Sequence, residues 1–181
     1  MLLSPALGEK TQRLLQNLHI LLCLQQLGCR QEDFARLPKP EVNLPALKTG
    51  EYITDLLTAA LQLRDLKSQQ ENSDIVNSAI RYIEKHYTDE NISLNSVAQA
   101  INISANYLSA LFGQKMEVSF VEYLTQKRMN RAKQLLQRTN MRSSEIAYEV
   151  GYRDPRYFSF VFRKTQGCTP RAFRAGETEG E

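Results

Sequence analysis

The chain has 181 residues, 42% hydrophobic and 24% charged, with 23 Lys and Arg against 20 Asp and Glu. That length suits one ordinary domain or two small ones with buried cores, and the balance excludes both intrinsic disorder and a membrane-spanning class. Three cysteines (Cys23, Cys29, Cys168) without a Cys-x-x-Cys pair, and only His19 and His86, exclude a disulfide scaffold or zinc site and leave enzyme chemistry few parts.

The first apolar-rich stretch, Leu14 to Leu27, is interrupted by Gln16, Asn17, His19, Gln25 and Gln26. It is too short and too polar to cross a bilayer, and Met1 to Ala6 lacks the basic start of a signal peptide. No membrane partner and a cytoplasmic location are expected. Leu14, Leu15, Leu18, Leu21 and Leu22 recur at helical spacing, with Gly28 as the stop. A short helix is expected over 31–37, ended by Pro38 and Pro40. After Pro45, the series Ile53, Leu56, Leu57, Ala60, Leu61 predicts a helix with one apolar face. The polar run 67–73 (KSQQENS) reads as a linker or as the exposed end of that helix. Asp74 is then expected to cap a new helix, whose face is Val76, Ala79, Ile80, Ile83 and Tyr87. Thr88 to Asn91 breaks the pattern, and Ser93 offers the next cap.

Charge divides the chain. Residues 1–73 hold 8 basic and 8 acidic side chains, whereas 113–174 hold 13 basic and 5 acidic, a net +8. A concentrated positive surface is the footprint of a polyanion partner, although a solvated basic face gives the same count.

The second half also repeats itself. Val97-Ala98 corresponds to Ile146-Ala147 at an offset of 49, and the stretch Tyr107 to Phe112 (YLSALF) to Tyr157 to Phe162 (YFSFVF) at an offset of 50. Ser119 and Tyr123 match Thr169 and Phe173 at that same offset of 50, so one residue has been inserted in the turn of the second copy. Each copy reads as a short helix, a tight turn and a second helix. Ala98 and Ala147 permit close helix approach, and Ile101 and Val150 close the first helices. Asn102 and Gly151 suit a left-handed turn residue. Ser104 caps the second helix of copy one; Asp154 caps that of copy two, with Pro155 at its first position. Leu108, Leu111, Phe112 and Phe158, Val161, Phe162 are expected to point inward. This is helix-turn-helix logic, done twice.

Between the copies, Ser119 and Glu122 form a capping box, and an amphipathic helix runs to about Arg138. Some twenty residues at 1.5 Å rise span roughly 30 Å, near the 34 Å turn of DNA, so one chain can present two helices to successive major grooves. Arg128, between apolar turns of that connector, reads as structural. No Walker loop, Gly-x-Gly-x-x-Gly or Gly-x-Ser-x-Gly occurs, so no cofactor, metal or catalytic residue is expected.

The stretches SLNSVAQAINISANYLSALF, SFVEYLTQKRMNRAKQLL and SSEIAYEVGYRDPRYFSFVFRKTQGCTPRAFR resemble the AraC-type family of bacterial transcription regulators over about residues 74–174. Residues 9–73 are similar, more weakly, to the helical segment before the DNA-binding domain of YesN-type response regulators. No strand–helix alternation with a phosphoacceptor Asp occurs, so no receiver is expected within the chain. The resemblance implies an all-α fold: a helical regulatory segment over 1–72, a double helix-turn-helix DNA-binding domain over 73–176, and an acidic tail over 177–181. It further implies double-stranded promoter DNA and RNA polymerase as partners, an activator role, and a possible homodimer through the N-terminal helices.

By position on the family pattern, Asn106, Ser109 and Ala110 face bases from the first recognition helix, and Arg156, Ser159 and Phe160 from the second. Arg156 suits guanine, Asn106 adenine, and the serines several edges, while Ala110 and Phe160 are limited to apolar contact such as thymine methyls. Ser104, Lys115, Arg163, Lys164 and Arg171 are the phosphate candidates. Three departures stand out: Ala110 and Phe160 occupy places that often carry Arg or Lys, and Gly113 one where a basic residue often follows the Phe. Phe160 packing inside, and a protein-docking module with weak DNA contacts, are the alternatives these departures raise. Glu117 stands where copy two has Gly167, so the first recognition helix is expected to end differently. Tyr107 and Tyr157 read as anchors between motif helices, His86 as a last-turn cap, and Cys168 as a small buried residue.

Overall fold

The computed structural model describes Gln25, Asp33, residues 36–38 and residues 46–176. The helix expected over Leu14 to Leu27 (Gln25 aside), most of the one over 31–37, and the acidic tail lie outside these described residues. Within them no strand occurs, and seven α-helices follow one another. They are α1 (Ala46–His86), α2 (Leu94–Ala100), α3 (Ala105–Met116), α4 (Phe120–Arg138), α5 (Ser143–Glu149), α6 (Pro155–Gln166) and α7 (Pro170–Ala175). No helix among the described residues is long and apolar enough to cross a membrane.

The chain divides into two compact units, Met1–Glu71 and Asn72–Glu181. In the first, Leu56 and Ala60 are buried with Leu37, and Tyr52, Ala59 and Leu63 pack around them. The Tyr52 hydroxyl donates to the Pro38 carbonyl. Only part of the anticipated stripe is covered, since Leu57 and Leu61 stay more than a third exposed. The buried arc centres on positions 56, 60 and 63, one step round the helix.

Asp74 is not a helix cap, and the run 67–73 is neither linker nor helix end: α1 continues through both. No Gly or Pro occurs between Gly50 and His86, and Lys, Gln and Glu are good helix formers. The Asp74 carbonyl accepts from the Ser78 hydroxyl one turn on, as a mid-helix carbonyl does. Polarity there marks an exposed face, not an end.

The second unit holds two separate cores. The first gathers Val76, Ala79 and Ile83 of α1, Val97 and Ala98 of α2, Leu108, Leu111 and Phe112 of α3, and Phe120 and Leu124 of α4. The other gathers Met129, Ala132, Leu135 and Leu136 of α4 with Ile146, Ala147, Val150, Tyr152, Phe158, Val161 and Phe162. The α4 helix therefore serves both, its N-terminal turns one core and its C-terminal turns the other. It opens with the anticipated Ser119–Glu122 box: the Ser119 N–H donates to the Glu122 carboxylate, and the Glu122 N–H to the Ser119 hydroxyl. These bonds hold the Glu122 carboxyl below its ordinary range.

Arg128 sits where the cores meet. Its guanidinium donates to the carbonyls of Tyr87 (2.7 Å) and Asp89 (2.8 Å), just past the end of α1, and lies 5.1 Å from the Tyr152 ring centre. Burial pushes the Arg128 pKa down, opposed by the Tyr152 phenol and by Asp89; burial likewise pushes the Tyr152 phenol up. Two further links flank this seam: Lys127 pairs with Glu84, and Arg153 with Glu90 and the Asn91 side chain. Arg153 is the residue inserted in the second copy, and the insertion ties that turn to the loop after α1.

Both motif turns close identically. In copy one the Ile103 N–H donates to Ala98 and the Asn102 N–H to Gln99; in copy two Tyr152 donates to Ala147 and Gly151 to Tyr148. This is the Schellman arrangement, with Asn102 (φ 57°) and Gly151 (φ 88°) left-handed. At Gly151 a Cβ would stand 2.8 Å from both the Arg128 guanidinium and the Thr88 carbonyl. Only glycine fits. The recognition helices also end alike, contrary to expectation: Glu117 adopts φ 57° where Gly167 has φ 79°, each donating its N–H four residues back. Glu117 adopts the conformation that glycine takes in the other copy and bears its steric cost.

Arg128→Ala should lose about 3 kcal/mol of unfolding free energy, because two carbonyls lose a charged donor, with Arg128→Lys recovering only part. Gly151→Ala should lose at least about 2 kcal/mol through backbone strain and the clash. Glu117→Gly, by contrast, should gain about 0.5–1 kcal/mol by relieving the left-handed strain. Urea unfolding followed by circular dichroism measures all three.

Candidate nucleic-acid interface

The outward faces of α3 and α6 follow from which residues are buried. Leu108, Leu111 and Phe112 on α3, and Phe158, Val161 and Phe162 on α6, are all in the cores. The opposite face of α3 presents Asn106, Ser109 and Ala110, all exposed; that of α6 presents Arg156, Phe160, Arg163 and Lys164, also exposed. Ser159 sits at the flank of α6, half-buried, and its hydroxyl donates to the Pro155 carbonyl. Its oxygen stays able to accept, but its proton is committed within the helix.

Each helix begins with its anticipated cap. The Ser104 hydroxyl accepts from the Tyr107 N–H, and the Asp154 carboxylate from the Arg156 N–H, with Pro155 following. Lys115 is exposed in the last turn of α3, but seven residues after Leu108 and three after Phe112 it lies on the core-facing side. It does not share a face with Asn106 and Ala110. Arg171 is exposed in α7, just past the Thr169 cap.

The structure sorts the basic residues counted along the chain. Arg128 is buried, Lys127 and Arg153 are paired with Glu84 and Glu90, and Arg174 donates to the carbonyls of Leu136 and Met141. These are structural. Arg156, Arg163 and Lys164 are exposed on one face of α6. At the equivalent places of copy one stand Asn106, Gly113 and Gln114, so the outward face of α3 carries no cation at all.

Tyr107 and Tyr157 are not anchors between motif helices. Tyr107 is 46% exposed and its hydroxyl donates to Asn72 of α1 at 2.7 Å; Tyr157 is 58% exposed. The Tyr157 ring stacks beside Phe160, centroids 6.4 Å apart and planes 27° from parallel, with Tyr152 6.1 Å behind it. Phe160 is itself 62% exposed, so it does not pack inside. The signal was available: position 157 is one residue before the core position 158 and three before 160, which places it on the flank shared with Phe160. His86 stacks on Tyr82 in the last turn of α1 at 4.4 Å. Cys168 is buried, as expected.

A family model described as a helix-turn-helix domain matches residues 97–176. The arabinose operon regulatory protein of Escherichia coli strain K12 is 40% identical over 101 residues, covering 56% of this chain and 35% of that protein. The chain spans less than half the length of the first curated relatives it matches. Among solved structures, the C-terminal domain of AraT, a response regulator from Geobacillus stearothermophilus, is 39% identical with a TM-score of 0.56, over 59% of this chain and 88% of that one. The C-terminal domain of the two-component response regulator yesN from Fusobacterium nucleatum is 33% identical with a TM-score of 0.50, over 60% of this chain and 98% of that one. Two Schellman-closed motifs on one shared helix, matched in sequence and in fold by these proteins, make the chain a member of the AraC-type helix-turn-helix family.

Proposed function

We propose that the chain is a sequence-specific double-stranded DNA-binding transcription regulator of the activator type, inserting α3 and α6 into successive major grooves. The observation that carries this is the pair of exposed recognition faces on motifs of one turn geometry, joined by a single helix. At 19 residues, α4 is about 28 Å long, short of one 34 Å turn of DNA by little more than a helical turn. A regulatory role for the N-terminal helices, their pairing in a homodimer, and contact with RNA polymerase belong to the same reading.

Within it the two motifs do different work. On α6, Arg163 and Lys164 neutralise phosphates and Arg156 reaches a guanine edge, with Ser159 beside it. On α3, Asn106 and Ser109 read edges, Ala110 makes an apolar contact, and Ser104 sits at the helix start with its hydroxyl proton toward the backbone of the DNA. Arg171 adds a phosphate contact; Lys115 contributes only through the general field. The second motif thus supplies most of the electrostatic affinity.

Selection of bound duplexes from a random pool should return two half-sites about one turn apart, and fluorescence anisotropy on the recovered duplex should show binding that weakens steeply with salt. Binding independent of salt, or no preference over random duplex, would sink the reading. Replacing Arg163 and Lys164 together by Gln should lower the magnitude of the logarithmic salt slope by about 2. Arg156→Ala should cost about 1–3 kcal/mol and relax one base position, whereas a uniform loss across sequences would make it a phosphate contact.

A further inference from the structure

The outward face of α6 carries an aromatic surface that folding does not use. Phe160 leaves 62% of its surface in water and Tyr157 58%, although a buried phenyl ring is worth far more to a core than an exposed one. The two rings lie side by side, centroids 6.4 Å apart, and Tyr152 backs Tyr157 at 6.1 Å. Tyr152 is in turn buried and held over Arg128. The pair is thus braced from the core rather than left to wander. Around it on the same face stand Arg156, Arg163 and Lys164.

Aromatic carbon ringed by cations fits a ligand that is apolar at its centre and anionic at its rim. A major groove seen by an inserted helix is such a ligand when thymine lies at its floor, because the thymine C5-methyl is the one apolar group that a base edge displays there. We infer that Phe160, oriented by Tyr157, reads the C5-methyl of a thymine within the second half-site. The inference rests on the DNA-binding reading and deepens it: it names the base that this face selects. A guanine or cytosine at that place would set polar edge atoms against the ring and leave them without partners.

Removing only the methyl tests it. On the duplex recovered by selection, each thymine of the second half-site is replaced in turn by deoxyuridine, and affinity is read by anisotropy. At one position uridine should weaken binding of the native chain about four-fold, the worth of one buried methyl group. The same replacement should cost Phe160→Ala less than about 1.5-fold, and Phe160→Leu, which keeps apolar contact, an intermediate amount. Because position 160 is exposed, both variants should retain the helical circular dichroism of the native chain. Indifference to uridine at every position, with tight and sequence-selective binding retained, would overturn the methyl contact and leave the DNA-binding reading standing. An equal uridine penalty in native chain and Phe160→Ala would assign the methyl to another residue and overturn it too. Absence of selective duplex binding would overturn both.

Discussion

Everything in the DNA-binding unit depends on how one guanidinium is satisfied. The unit has two hydrophobic cores, and α4 is the element common to both. Arg128 lies on that helix between Leu124, which belongs to the first core, and Met129, which belongs to the second. Its two bonds reach the carbonyls of Tyr87 and Asp89 in the loop just past α1, the second of which also accepts from the Ile92 N–H. Its flat face meets Tyr152 of the second motif, and its edge leaves Gly151 no room for a side chain. One buried cation thereby ties the loop after α1, the connector and the turn of the second motif together.

The requirement is mutual. A guanidinium out of water is costly unless its donors are used, and carbonyls at a helix end are costly if buried alone. The guanidinium gains two acceptors and the Tyr87 carbonyl a donor, and the planar fork meets both acceptors at once where an ammonium meets one. The ion pairs Lys127–Glu84 and Arg153–Glu90 run alongside, but both are open to water, which screens them. They add registration more than stability.

On this shared scaffold the two copies have diverged at the surface. Their turn hydrogen bonds and buried triplets correspond position for position, because a change there would break a hydrogen bond or a core. The left-handed closure of α3 persists even with Glu117 in it. Their outward faces obey no such constraint. One is small and neutral (Asn106, Ser109, Ala110); the other is cationic and aromatic (Arg156, Phe160, Arg163, Lys164). A duplicated fold gives two reading heads, and their chemistry can then differ freely.

The repeat, its caps, the inward triplets and the +8 segment were legible in the sequence, since they rest on spacing, on backbone chemistry and on counting. So was the structural character of Arg128, a charge set among apolar turns. Three things were not. Asp74 looked like a cap because a capping residue and a mid-helix residue are the same residue until the preceding segment is known to be helical. Tyr107 and Tyr157 looked like anchors because aromatic character suggests burial, while burial depends on which arc of the helix meets a neighbour. The partition of the basic residues was the largest omission. A sum along the chain treats Arg128, Arg153 and Arg174 like Arg156 and Lys164, yet the first three are spent on carbonyls and carboxylates. Sequence alone determined that two helix-turn-helix motifs exist and where their helices start, because those are local hydrogen-bond decisions. Only the tertiary structure decided which charges and rings are left to face a partner, because that depends on contacts between residues some forty to sixty positions apart.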